Sequence, residues 1–174
     1  MPKKEKYHND FIIDRLTNSI LNCISGESFP TEVILLSKKD LKQIMKKTGW
    51  KFNWMFELNQ PDREVYKLVT TVNPDIVHGI VSLTVKDDHV FIHVIENAPF
   101  NQGSKKLYDG VAGNLVAFGC RLSFQRGNQG VVSFYAKTKL VNHYEKTLGA
   151  KLIGMQLMII YSEEAKILID KYFK

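Results

Sequence analysis

The segment Gly110-Val111-Ala112-Gly113-Asn114 lies between a β-branched run and an amphipathic stretch. Small residues at a helix N-terminus let an anion approach the backbone closely. The free N–H groups of the first turn point at it, and the helix dipole favours negative charge. A pyrophosphate is the natural guest. The pattern is neither GxxxxGK[ST] nor GxGxxG, so it is not a P-loop or a dinucleotide fingerprint. For the two glycines alone, close helix packing is the simpler account. Lys105 and Lys106 stand just before this segment, where they could reach a phosphate or simply form a solvated charge pair.

Other chemistry-bearing residues are scattered. Glu96 ends a strand beside apolar Val94 and Ile95, the setting of a general base or of a solvated strand end. Tyr144 shares a stripe with Leu140 and Leu148, and spacing alone reads it as a core tyrosine. His78 and His93 fall in strands without a partner at ligand spacing, and His143 reads as a helix-surface histidine. Cys23 and Cys120 are far apart, and neither a CxxC pair nor a zinc-type cluster occurs, so no metal site is expected. Phe52, Trp54 and Glu57 follow Trp50 in an aromatic, polar-studded stretch that either lines a binding site or joins the core.

These residues need elements to position them. Asn9 and Asp10 can cap a first helix carrying Ile12, Leu16, Ile20 and Ile24 and stopped by Gly26. Residues 31–36 read as a strand. Ser37 opens a second helix with Leu41, Ile44 and Met45 on one side, ended by Gly49; residues 50–61 read as loop with some strand. A three-stranded meander follows at 65–72, 76–85 and 89–96, with turns at Asn73-Pro74-Asp75 and Asp87-Asp88. After a polar loop over 97–106, Val111, Leu115, Phe118 and Leu122 mark one face of a helix closed by Gly127. Then come a strand at 131–136, a short helix at 138–148, a strand at 152–161 and a last helix capped by Ser162. The order predicts a mixed α/β (α+β) single domain.

The bulk numbers agree. The chain has 174 residues, 44% apolar and 24% charged, enough for one cored domain. Disorder is expected only over the charged residues 1–6. A formal charge of +6 favours anionic partners without choosing among them. No run approaches the roughly 18 apolar residues of a membrane span, so the parsimonious address is the cytoplasm, with no membrane partner.

Two motifs in order carry a family resemblance. Leu107-Tyr108-Asp109-Gly110-Val111-Ala112 resembles the GNAT signature of Gln or Arg, two free positions, Gly, one free position, then Gly or Ala. Leu107 departs from it at the first position. Downstream, His143-Tyr144-Glu145-Lys146-Thr147-Leu148-Gly149 is similar to the family's apolar-Tyr-x-Lys-x-Gly ending, with one extra residue before Gly149. Lys137 replaces the Asn that the family places seven positions before that Tyr. The resemblance covers roughly residues 65–161.

The resemblance implies a largely antiparallel mixed sheet flanked by helices, with an N-terminal part over 1–60, an acyl-CoA-binding core over 61–161 and a C-terminal helix over 162–174. It implies direct transfer of an acyl group, acetyl above all, from acetyl-CoA to a primary amine: a small molecule, a protein or an aminoacyl-tRNA. In this picture Gly110, Val111, Ala112, Gly113 and Asn114 cradle the CoA pyrophosphate, and the backbone of Ile95 and Asn97 meets the pantetheine. Tyr144 is the general acid and Glu96 the general base. A homodimer is a candidate assembly. The alternative, motivated by Leu107 and Lys137, is a catalytically inactive CoA-binding, protein-interaction or nucleic-acid-interaction module on the same scaffold. The family normally ends in a β-hairpin, whereas the pattern from Ser162 onward is helical.

Overall fold

The computed structural model describes residues 7–15 and 19–173. Its regular elements are β1 (Ile20–Asn22), β2 (Ser28–Phe29), β3 (Thr31–Leu35), α1 (Trp54–Leu58), β4 (Glu64–Thr70), β5 (Gly79–Val85), β6 (Val90–Asn97), β7 (Tyr108–Asp109), α2 (Val111–Gln125), β8 (Val132–Tyr135), α3 (Val141–Leu148), β9 (Lys151–Gly154), β10 (Leu157–Ile160) and α4 (Ser162–Phe173). The main sheet has seven strands in the order β3-β4-β5-β6-β8-β10-β9, and β2-β1-β7 form a small second sheet. The one parallel contact in the main sheet is β6 with β8; the rest is antiparallel. This is the mixed α+β architecture that the pattern predicts.

Alternation along the meander divides the core between the two sheet faces. Tyr66, Leu68, Val81, Leu83 and Ile92 point to the side covered by α2 and α4. Val65, Ile80 and Val94 point to the other, covered by Leu36, Ile44, Trp50 and Trp54. A β-bulge sets the site. Ser82 pairs with Val94 and Leu83 with Ile92, which leaves His93 as an extra residue on β6. The bulge turns Val94 to the opposite face from Ile92 and bends the end of the strand. Pairing of β6 with β8 accordingly stops at Ile92↔Phe134, and the two strands part beyond it.

Helix α2 is buried on nearly every side, not on one face. The sheet takes one side and α4 the other; Gly113 has no Cβ because Tyr172 of α4 fills that space. Gly110 starts the helix at φ 96°, a left-handed conformation that glycine adopts at low cost.

Four expectations need correction. Residues 7–15 form no helix: they run as irregular chain, and Ile20 belongs to β1. Phe11 and Ile13 are buried while Ile24 is 83% exposed, so the four-residue spacing was not a helix face. Leu16 and residues 1–6, including their expected disorder, lie outside the described residues. The helix expected from Ser37 is two 3-10 turns, Lys38–Lys42 and Lys46–Thr48. There a capping box closes each turn, and Thr48 Oγ1 accepts the Met45 N–H that a continuous helix would give to Leu41 O. The loop over 50–61 contains α1, capped by the Asn53 side chain. The strand over 152–161 is a hairpin: Met155 and Gln156, at φ 44° and 69°, turn β9 back onto β10. That is the turn of a two-residue hairpin built without its usual Gly or Asn, and it precedes the C-terminal helix.

Among the described residues no helix is long and apolar enough to cross a membrane. Nor do three His, Cys, Asp or Glu side chains gather where a metal ion could be held.

Candidate functional site

The gap opened by the bulge is the centre of the site. Past Ile92 and Phe134, the facing edges of β6 and β8 have no strand between them, and residues 9–15 enter instead. The backbone N–H of Asn9 donates to Tyr135 O at 2.8 Å, and Lys137 N donates to Asn9 O at 3.0 Å. The side chain of Asn9 completes the bridge to β6. Its Nδ2 donates to Tyr135 O at 3.0 Å and His93 O at 3.3 Å, and its Oδ1 accepts from Ile95 N at 3.2 Å. One buried amide thus joins two strands that have separated.

Further along, Phe11 packs its ring on Phe134 and Tyr144, with centroids 5.6 and 4.8 Å apart. The Tyr144 hydroxyl donates to Phe11 O at 2.7 Å. Burial, and then the charge of Asp10, push the Tyr144 phenol well above its ordinary range, so it remains a donor. Ile13 N donates to Nε2 of His143 at 2.9 Å, which requires that nitrogen to be unprotonated. Burial lowers the His143 pKa in the same direction.

The segment ends beside Gly110, the first residue of the expected cradle. Gly110 N donates to Asp14 Oδ1 at 2.9 Å, and Lys106 Nζ to Asp14 Oδ2 at 2.9 Å. Burial pulls the Lys106 ammonium down, but its hydrogen bonds with Asp14 and Asp109 outweigh this and hold it above the usual lysine range. Tyr172 of α4 then donates to Arg15 O at 2.8 Å. A carboxylate therefore sits on the N–H of Gly110, the residue that precedes α2.

The sequence-predicted residues fall into two groups. Gly110, Ile95 and Tyr144 meet at this groove, all bonded to residues 9–14. Ile95, Glu96 and Asn97 also line an adjoining cleft of about 390 Å³, walled on one side by Asp10, Phe11 and Ile12. Val111 and Ala112 are buried in the core, and Gly113 faces Tyr172. Asn114 points inward, donating to Ser19 O and accepting from Thr31 Oγ1. Lys105 is exposed, whereas Lys106 reaches the cradle. Lys137 pairs with Asp10 at 2.7 Å.

Glu96 is buried and occupied. Its Oε1 accepts from Trp54 Nε1 at 2.8 Å and Phe52 N at 3.3 Å, and its Oε2 accepts from Lys51 N at 2.7 Å. Trp54 is core, Glu57 is a buried partner of Arg63, and Phe52 lines the cleft. Cys120 is buried, and burial pushes its thiol up to about 12, far from reactivity. Asn9 and Asp14 were not legible as site residues. Asn9 looked like a helix cap, and no local pattern marks either one.

No protein-family model and no characterised protein sequence matches this chain. Solved structures do match in fold. A mutant form of the spermidine/spermine N-acetyltransferase SpeG from Vibrio cholerae is 15% identical, covering 79% of this chain and 96% of its own, with a TM-score of 0.57. The spermidine N-acetyltransferase from Vibrio cholerae in complex with CoA and spermine is 15% identical, covering 78% and 98%, with a TM-score of 0.55. AtaTR bound with acetyl-CoA is 14% identical, covering 79% and 97%, with a TM-score of 0.53. At such identities the likeness is one of fold.

Proposed function

We infer that this chain, which has the fold of the GNAT acetyltransferases, is an acyl-CoA-dependent N-acyltransferase that moves an acyl group, acetyl in the first instance, to a primary amine. The observation that carries the reading is the parting of β6 and β8 with the Gly110 N–H at one end and the Tyr144 hydroxyl inside. The groove fits the donor chemically: it already takes a peptide segment at Asn9 and a carboxylate at Gly110 N. Gly110 and Lys106 would hold the pyrophosphate, and the backbone of Ile95 and Asn97 the pantetheine. Acyl-CoA would supply an activated carbonyl as a thioester.

The chain's own groups supply the rest. The Ile95 N–H, pointing into the groove, would stabilise negative charge on a carbonyl oxygen. Tyr144, protonated across the physiological range, would give its proton to the departing sulfur. Glu96 lines the cleft beside the groove, and its Oε2, with a single donor, retains room to accept a proton from an amine.

The test is thiol release from acetyl-CoA over a panel of polyamines, peptides and aminoacyl-tRNAs. Turnover should fall about a hundredfold or more in Tyr144→Phe. Absence of thiol release with every amine would sink the reading. A second reading, a scaffold without turnover, is favoured by one observation: Asn9 and Asp14 already satisfy the groove's donors. It predicts a folded protein whose melting temperature acetyl-CoA does not move.

A further inference from the structure

Three of the contacts that residues 9–15 make follow one another along the groove. First, a carbonyl oxygen, Asn9 Oδ1, sits on the Ile95 N–H at 3.2 Å. Next, a second carbonyl, Phe11 O, takes the Tyr144 hydroxyl at 2.7 Å. Last, a carboxylate, Asp14, takes the Gly110 N–H and the Lys106 ammonium, both at 2.9 Å. That is the chemical order of an acyl thioester: a carbonyl, a linker beside the acid, an anion at the helix start. We propose that residues 9–15 are an internal stand-in for acyl-CoA, closing the groove until the cofactor displaces them. The proposal rests on the acyl-CoA reading above.

The way the segment is held suits displacement. Its grip is mostly polar. Phe11 and Ile13 are its buried apolar side chains, while Asp10 and Ile12 face outward. The Ile95 N–H, the Tyr144 hydroxyl, the Gly110 N–H and the Lys106 ammonium, all occupied by the segment, are donors that the cofactor would take over. In the cradle one carboxylate charge competes with a pyrophosphate for the same N–H and the same ammonium. A closed groove also lowers apparent affinity by the fraction of molecules that are open. Loosening the segment should therefore tighten cofactor binding, the reverse of what losing ordinary binding residues would do. Asn9 and Asp14 are not part of the transfer machinery, so their variants separate closure from chemistry.

The experiment uses the full chain and acetyl-CoA as the probe. Calorimetric titration of wild type, Asp14→Asn and Asn9→Ala is paired with amide hydrogen exchange of the wild type with and without acetyl-CoA. The expected result is an affinity about tenfold higher in each variant, the factor by which an open fraction rising from a tenth to near unity acts. The Ile13 amide should lose protection when acetyl-CoA binds, while those of Ile95 and Gly110 stay protected. Acetyl-CoA binding to the wild type with Ile13 still protected would overturn the stand-in and leave the acyltransferase reading intact. No binding by the wild type, or by variants whose Ile13 amide already exchanges freely, would overturn both. The exchange measurement needs no substitution, so a variant that fails to fold does not shield the proposal.

Discussion

Two segments close against the end of β6, and they are held in opposite ways. Residues 50–54 are tied by the Glu96 carboxylate, which accepts two backbone N–H groups and the Trp54 indole. They are also locked by burial of Trp50 and Trp54 among Leu36, Ile44 and Ile80. Residues 9–15 are tied by backbone groups and by an ion pair, with less apolar weight behind them. Burial of large apolar groups cannot be exchanged for another ligand without unfolding the region. Hydrogen bonds and a charge pair can, because a ligand with the same groups replaces them one for one. The first segment is therefore part of the fold, and the second behaves as an occupant.

The contrast can be broken or sharpened by measurement. The largest effect is expected at Trp54→Ala, which removes a fully buried indole and strips Glu96 of a donor. About 3–5 kcal/mol of stability should be lost in urea unfolding. A loss as small as that of a segment 9–15 variant would erase the distinction.

Next is acid. His78 lies just before β5, its Nδ1 accepting from Asn101 Nδ2 at 3.1 Å, and burial pushes it down to about 4. The unfolded chain takes up the proton near 6.5, so stability is at its full level above that pH. It then falls as the pH drops from 6.5 towards 4, by roughly 3 kcal/mol at 1.36 kcal/mol per unit. Unfolding curves at pH 7 and pH 4.5 should show the loss, and it should shrink in His78→Gln. Since Ala98 N and Asn101 Nδ2 both donate to His78 O, this acid sensitivity belongs to the fixed side of the groove.

Glu96→Gln comes third, at about 2 kcal/mol. A carboxamide turns its NH2 towards N–H groups that a carboxylate accepts, and bonds to charged groups carry about 1.5–3 kcal/mol. Its urea midpoint should drop while acetyl-CoA affinity stays as in the wild type. A change in affinity without a change in stability would make Glu96 a binding residue and not an anchor. The smallest effect on stability is expected at Tyr144→Phe, which deletes the bond to Phe11 O for about 1 kcal/mol. The same variant should free the Ile13 amide for exchange more than it lowers the unfolding midpoint.

Much of the core was legible because its signals are local. The meander strands are apolar runs parted by turn residues, and Val111, Leu115, Phe118 and Leu122 repeat with the helix period. Gly110 was identifiable as a helix start because small residues there have a physical use. Ile12, Leu16, Ile20 and Ile24 misled because a spacing of four marks a helix only where those residues share a buried face, whereas Ile12 and Ile24 are exposed and Ile20 sits in β1. The β9–β10 hairpin was hidden because Met155 and Gln156 carry no turn signature, and Met155, 93% exposed, extends an apolar run that reads as one strand. The 3-10 turns after Ser37 were hidden because Asp40 pairs with Lys67 of β4 at 2.7 Å, a partner that no window around Asp40 contains.

By itself the sequence determined the run of meander strands, the helix that follows them and the glycine at its start, since each depends on residues within a few positions of one another. The tertiary structure alone decided what fills the groove. Asn9 meets His93 and Tyr135, partners 84 and 126 positions away, and Asp14 meets Gly110 across 96. Such contacts exist only because a bulge at His93 parts two strands and leaves donors and acceptors that something must satisfy.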